Sequence, residues 1–368
     1  MYDSRVERLA DILTGHSTEI KPGDKVYLLT DSTLGLPLFE VVYRKVIERG
    51  AYPYPHILLD PNVGFEGMDD AFMRYASDEQ LQHMSEIALA EMQAMDAYIR
   101  IGAPENTRSL SGIDPKRIAM RQKATASILH ERLRKRWVVT RYPTPALAQE
   151  ANMSLKDYED FFFGAVLVDY IIMEQQQRSI KTIFDTGSSV KVVATDTDLT
   201  FSIAGREGRM SYGKHNVPDG EVYYAPVESS ANGVVRFTYP AIESGNEVRG
   251  VRLTFRDGVV VEATSDTNET FLLGQLDTDS GSRKLGEFGI GLNYGIDRFT
   301  GNMLFDEKIG GSIHLALGNA YEGTAPEGVR NKSGLHWDML VDLRESAGGG
   351  KLYLDGKVIQ ENGVFKIE

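Results

Sequence analysis

Apolar residues recur along this chain with two different periods, and the change from one to the other divides the sequence. In the first half, short apolar runs alternate with longer segments of helical spacing. KVYLLT (25–30), YPHILLD (54–60), DAYIRIG (96–102) and WVVTRYP (137–143) have the length and content of strands. Between them, LPLFEVVYRKVIERG (36–50) and PKRIAMRQKATASILHERLRKR (115–136) carry apolar side chains three and four apart, as a helix with one buried face does. Gly50 suits the end of the first helix and Pro115 the first turn of the second. Strand, helix, strand in succession predicts an α/β layer with parallel neighbours. A further helical stretch is predicted from Ser154, which with Asp157 resembles a capping box, to about Ile183.

From residue 190 the period shortens to two. VKVVATD, LTFSIAG, EVYYAPVE, GVVRFTYP, VRLTFRDG and VVVEATS read as strands, with Asp257–Gly258 as a hairpin turn between the last two. A short helix is expected around Asn268–Asp277, then strands at SIHLALG (312–318), LHWDMLVDL (335–343) and KLYLDG (351–356). Glycine follows the same division: 9 of the 36 lie in residues 1–180 and 27 in 181–368. Glycine is weak inside helices and favoured in turns, so the two halves differ in class. The expectation is α/β in an α+β whole. An N-terminal α/β layered domain with a helical linker spans 1–185, and a β-rich C-terminal domain spans 186–368, with no repeat or low-complexity tether between them.

Composition narrows the function. Forty Lys+Arg against fifty-three Asp+Glu leave a net charge of −13, which disfavours nucleic acid and anionic membrane as partners. The absence of cysteine excludes disulfides, thiolate metal sites and cysteine nucleophiles, and suits a cytoplasmic setting. The opening MYDSRVERLADIL has no apolar signal-peptide core, and the apolar stretch Phe161–Met173 is interrupted by Asp169 and too short to span a bilayer.

HExxH, GxSxG and Walker motifs are absent. GIGLNYG (289–295) is one place off the dinucleotide fingerprint and reads as a turn. Of seven histidines, His16, His56, His83, His130 and His215 are scattered and read as surface or satisfied core positions. His314 and His336 lie in strand-like segments. The period of two puts His336, Asp338 and Leu340 on one face, and His314 with the small Ser312, Ala316 and Gly318. Glu221 opens a strand after PDG, and Glu287 sits between glycines. Carboxylates with imidazoles match zinc, cobalt or manganese, and a set this acidic can carry two ions. The residues alone support an oxygen- and nitrogen-ligand metal site in a β-rich domain. A two-carboxylate glycosidase using Glu221 and Glu287, or a non-catalytic metal- or peptide-binding protein, remain alternatives.

NVPDGEVYYAPVESSANGVVRFTYPA, LGEFGIGLNYGIDRFTGNMLFDEKIGGSIHLALGNAY, NKSGLHWDMLVDL and RWVVTRYPTPALAQEANMSLKDYEDFFF resemble signature blocks of the M29 aminopeptidases. The resemblance covers essentially the whole chain. It implies a two-domain, homodimeric metallo-exopeptidase that releases N-terminal residues from short peptides with a free N-terminus. It further implies two divalent ions and a metal-activated hydroxide as nucleophile. The implied ligands are Glu221, Glu287, His314, His336 and Asp338, with Glu307 as a further ligand or outlying acid. Tyr321 matches the family's catalytic tyrosine, and Glu287 is expected to bridge the ions or to carry the proton to the leaving amine. The connection from Tyr321 to His336 is shorter than in some members, which bears on specificity more than on the metal.

Overall fold

A computed structural model of the chain describes residues 3–58, 69–243, 245–326 and 328–366, so the last two residues of YPHILLD lie outside the described residues. The chain divides into two compact units, Met1–Leu167 with Gly213–Pro218, and Val168–Tyr212 with Asp219–Glu368.

The first unit is built on an all-parallel sheet in the order Tyr52–Ile57, Lys25–Thr30, Ala97–Gly102, Arg136–Arg141, Asn216–Val217. The central strand Ala97–Gly102 is buried at every residue, as expected where helices cover both faces. The edge strand Tyr52–Ile57 carries Pro53 and Pro55, which an edge tolerates because one side of its ladder needs no donors. The predicted helices form at Leu36–Glu48 and Pro115–Leu133. Three short helices at Asp70–Tyr75, Asp78–Gln82 and Glu86–Ala94 were not foreseen. Their apolar spacing is weak, but the side chains of Asp69, Ser77 and Ser85 cap each start.

The predicted stretch from Ser154 to Ile183 is two helices, Leu155–Val166 and Tyr170–Asp185. The Asp169 carboxylate accepts from the N–H groups of Ile171 and Ile172 at 3.0 and 3.1 Å, which starts a second helix rather than continuing the first.

The second unit is mainly antiparallel. One eight-stranded sheet runs Val259–Thr264, Arg252–Arg256, Asn232–Arg236, Thr197–Ser202, Ser189–Ala194, Gly350–Leu354, Lys357–Glu361, Val364–Phe365. Its predicted hairpin forms at Asp257–Gly258, both at positive φ, as a tight turn between twisted strands requires. A five-stranded sheet runs His336–Asp342, Ser312–Gly318, Leu285–Gly291, Glu221–Tyr224, Arg209–Ser211. One face of each sheet enters a shared core, where Val192, Phe201 and Leu253 meet Phe288, Leu315, Trp337 and Met339. Each such side chain stabilises by roughly 1.5–3 kcal/mol on burial. No helix among the described residues is long and apolar enough to cross a membrane.

Candidate metal centre

With one face of the five-stranded sheet committed to the core, the alternation of strand residues sends its polar set to the other face. Glu287 pairs across the ladder with Ala316, and Ala316 with Asp338, so two carboxylates flank one methyl group. His314 pairs with Gly289 and Leu340, His336 with Gly318, and Glu221 with Gly291. The small partners make the room. A Cβ on Gly289 would lie 1.9 Å from the His314 ring, so only glycine admits that imidazole. GIG is therefore strand, not the turn expected from its glycines: Gly289 and Gly291 lie inside Leu285–Gly291. A register shift between Leu285 and Glu287 turns Glu287 to the polar face while Leu285 stays in the core.

Glu221, Glu287 and His314 are 6%, 5% and 1% exposed, and one donor atom from each lies within 4.8 Å of the others. His314 donates from Nδ1 to the Glu307 carbonyl at 3.0 Å, and its Nε2 lies 3.1 Å from Glu287 Oε1 and 3.6 Å from Glu221 Oε2. His336 repeats the pattern. Its Nδ1 donates to the Asn319 carbonyl at 2.7 Å, and its Nε2 lies 3.5 Å from Asp338 Oδ2. In both rings a backbone carbonyl occupies Nδ1 and leaves Nε2 facing carboxylates, the orientation of a metal-ligating histidine.

The electrostatics of the site favour positive charge. Burial pushes the Glu221 and Glu287 carboxyls above the usual range. Burial opposes charge on His314, but the hydrogen bond to Glu287 and the charges of Glu221 and Asp338 outweigh it and push its pKa up to about 10. His336 is pushed up to about 10 as Asp338 and Glu287 overcome its burial. Both imidazoles are thus held toward the charged form by the carboxylates around them. Glu221 Oε2, Glu287 Oε2 and Asp338 Oδ1 are buried and have no hydrogen-bond partner. Buried carboxylate oxygens without partners are costly unless a cation meets them. With two Nε2 donors beside them, this oxygen and nitrogen set fits divalent metal ions.

Glu307 and Tyr321 lie around this set. Glu307 has its carboxylate against the Lys308 ammonium, while its carbonyl orients His314. Tyr321, 49% exposed, tilts its ring against His336 at 4.8 Å and meets Tyr223 edge-on at 6.1 Å. Sequence reasoning missed Lys308, which has no exposed surface and lies 3.7 Å from Glu221 Oε1. Its one signal was a lysine inside FDEKIGG, a block already singled out for its glutamate.

The turn that delivers His336 is fastened by Asp279. Its carboxylate accepts from Gly334 N–H at 2.7 Å, Ser333 Oγ at 3.0 Å, Gly281 N–H at 2.8 Å and Ser282 N–H at 3.1 Å. These donors, led by Gly334 and Ser333, hold its pKa down to about 2. A depressed carboxyl pKa contributes stability above the unfolded value near 4, which is lost as pH falls through about 2. Asp279→Ala is expected to speed hydrogen exchange at the Gly334 and Leu335 amides at pH 7, with exchange elsewhere in the sheet unchanged. Unaltered exchange at those two amides would show that the turn holds itself.

Comparison with known proteins places this arrangement. A family model described as thermophilic metalloprotease (M29) matches residues 2–365. Aminopeptidase 2 of Geobacillus stearothermophilus is 26% identical over 96% of this chain and 94% of its own length. Aminopeptidase AmpS of Bacillus subtilis is 27% identical over 71% of this chain and 74% of its own. Among solved structures, wild-type AmpT from Thermus thermophilus has the same fold. Its TM-score is 0.82 at 20% identity, over 99% of both chains.

Proposed function

Because the chain belongs to the M29 family of thermophilic metalloproteases, we propose that it releases the N-terminal residue of short peptides at a centre holding two divalent cations. It is a metallo-aminopeptidase by family and relatives; the ligand set, the ion count and the mechanism are our reading. The observation that carries that reading is the trio of buried, unpartnered oxygens on Glu221, Glu287 and Asp338, set beside two imidazoles already oriented through Nδ1. Those five side chains are the proposed ligands. Five donor side chains exceed what one four-coordinate ion takes, which favours two ions of zinc, cobalt or manganese. When bound, such ions polarise the scissile carbonyl and acidify water, so that hydroxide is the attacking nucleophile near neutral pH.

The chain's own residues supply the rest. Glu287, on the strand between that of Glu221 and those of His314 and Asp338, would help hold the ions, and its carboxylate would carry a proton to the leaving amine. Tyr321 donates a hydrogen bond to the oxyanion that develops on the carbonyl. Glu307 acts from outside the ligand set, through its carbonyl on His314 and its carboxylate on Lys308.

A short peptide with a free N-terminus is expected to lose residues one at a time, and its N-acetylated copy to stay intact. Activity should vanish on chelation and return with zinc, cobalt or manganese. Release unaffected by exhaustive chelation would sink the metal mechanism. No release with any ion, in folded protein, would leave a metal- or peptide-binding protein.

A further inference from the structure

We propose that Lys308 is a built-in counter-ion of the metal centre, which holds the ion-free pocket together and lowers its affinity for divalent cations. The inference rests on the metal reading above. Lysines are almost never fully buried unless paired, and Lys308 has no exposed surface. Its ammonium contacts the Glu307 carboxylate and lies 3.7 Å from Glu221 Oε1. Among the described residues, it is the one lysine or arginine within 4 Å of any carboxylate of the site. A side chain with no surface does not meet substrate, so its role is exerted through the groups it touches.

The backbone fixes the point from which the Lys308 side chain enters the pocket. Lys308 N–H donates to the Phe305 carbonyl at 3.0 Å, and the Lys308 carbonyl accepts from Asn293 N–H at 3.0 Å. Gly291 lets this segment come close, since a Cβ there would lie 2.2 Å from the Ile309 carbonyl oxygen. The preceding residue, Glu307, orients His314 through its own carbonyl. The same turn therefore sets both a ligand and a fixed positive charge.

Charge accounting gives the consequence. Glu221, Glu287, Glu307 and Asp338 are the acids of the pocket, and Lys308 sets one fixed positive charge against Glu307 and Glu221. Its removal makes the pocket one charge more negative, whether ion-free or loaded. In a poorly screened interior, Lys308 thus stabilises the empty pocket and repels the ions. A lysine with a purely structural role has the opposite sign, because its removal would release Glu221 and weaken ion binding.

The test titrates chelator-stripped wild type and Lys308→Met with Co²⁺ by calorimetry, and follows each melting temperature with and without the ion. Lys308→Met is expected to bind Co²⁺ roughly tenfold more tightly or better, with a larger ion-induced rise in Tm. Adding Glu307→Gln restores the charge count and should bring the affinity back to within about twofold of wild type. Should Lys308→Met fold only with Co²⁺ present, that supports the stabilising half of the claim, and the affinity comparison moves to the Glu307→Gln background, where adding Lys308→Met should tighten Co²⁺ binding roughly tenfold. Wild type that binds Co²⁺ while Lys308→Met binds it equally or less tightly overturns the inference alone. Binding by neither protein overturns the metal reading and this inference with it.

Discussion

Glu287→Gln is expected to lower kcat on an unblocked peptide by roughly a thousandfold or more, in a protein that still folds. The substitution keeps shape and volume but removes the charge. It also replaces one carboxylate oxygen with an amide nitrogen, which donates where a cation needs an acceptor. Glu287 is 5% exposed, shares Oε1 with His314 and has Oε2 without a partner. No other acidic side chain occupies its place between Glu221 and Asp338 on the sheet. Stability should move the other way. Burial pushes the Glu287 carboxyl upward, so its ionised form opposes the ion-free fold. That fold should therefore melt no lower in the variant, and gain less from added metal. Circular dichroism melts, metal content by atomic emission and peptide turnover separate the effects. A loss of less than tenfold with full metal content would remove Glu287 from the chemistry.

How far the site could be read from the sequence follows from which forces act locally. His336 and Asp338 two apart in a strand-like run, and His314 among small residues, are legible because alternation is a local property. The core-facing residues Trp337, Met339 and Leu315 are legible for the same reason. Convergence is not local. That Ala316 stands between Glu287 and Asp338, and Gly289 opposite His314, depends on ladder register, which is set by long-range pairing. The shift between Leu285 and Glu287 decides which way that glutamate faces, and GEF carries no periodic sign of it. The glycines of GIGLNYG misled because glycine marks turns and close approaches alike. Here two of them serve approach, to an imidazole and to the Ile309 backbone. The break at Asp169 went unread because apolar spacing on both sides suits a single helix, and only the cap separates them. Lys308 was hidden by its type, since a lysine beside two acids ordinarily reads as solvated surface.

Tyr321→Phe should separate chemistry from packing at the same centre. The ring is braced by His336 and Tyr223, contacts that phenylalanine retains. Only the hydroxyl is lost. Although the residue is half-exposed, burial of its hydroxyl end, then the charges of Glu287 and Asp338, push the phenol pKa above its ordinary value, so it stays protonated through the neutral range. A neutral phenol beside a carbonyl that gains negative charge is a donor whose bond strengthens in the transition state. Loss of one such donor costs about 10²–10³ in kcat. KM should change by less than about threefold, because the ground-state carbonyl makes little of the contact. Metal content should match wild type, since the side chain is not among the proposed ligands. Because the phenol does not ionise near neutrality, the variant's pH profile should keep its shape and only drop. A kcat within threefold of wild type would make Tyr321 a packing residue and pass the oxyanion to the ions alone. A large loss of metal would instead make it a brace for His336, against which it leans at 4.8 Å.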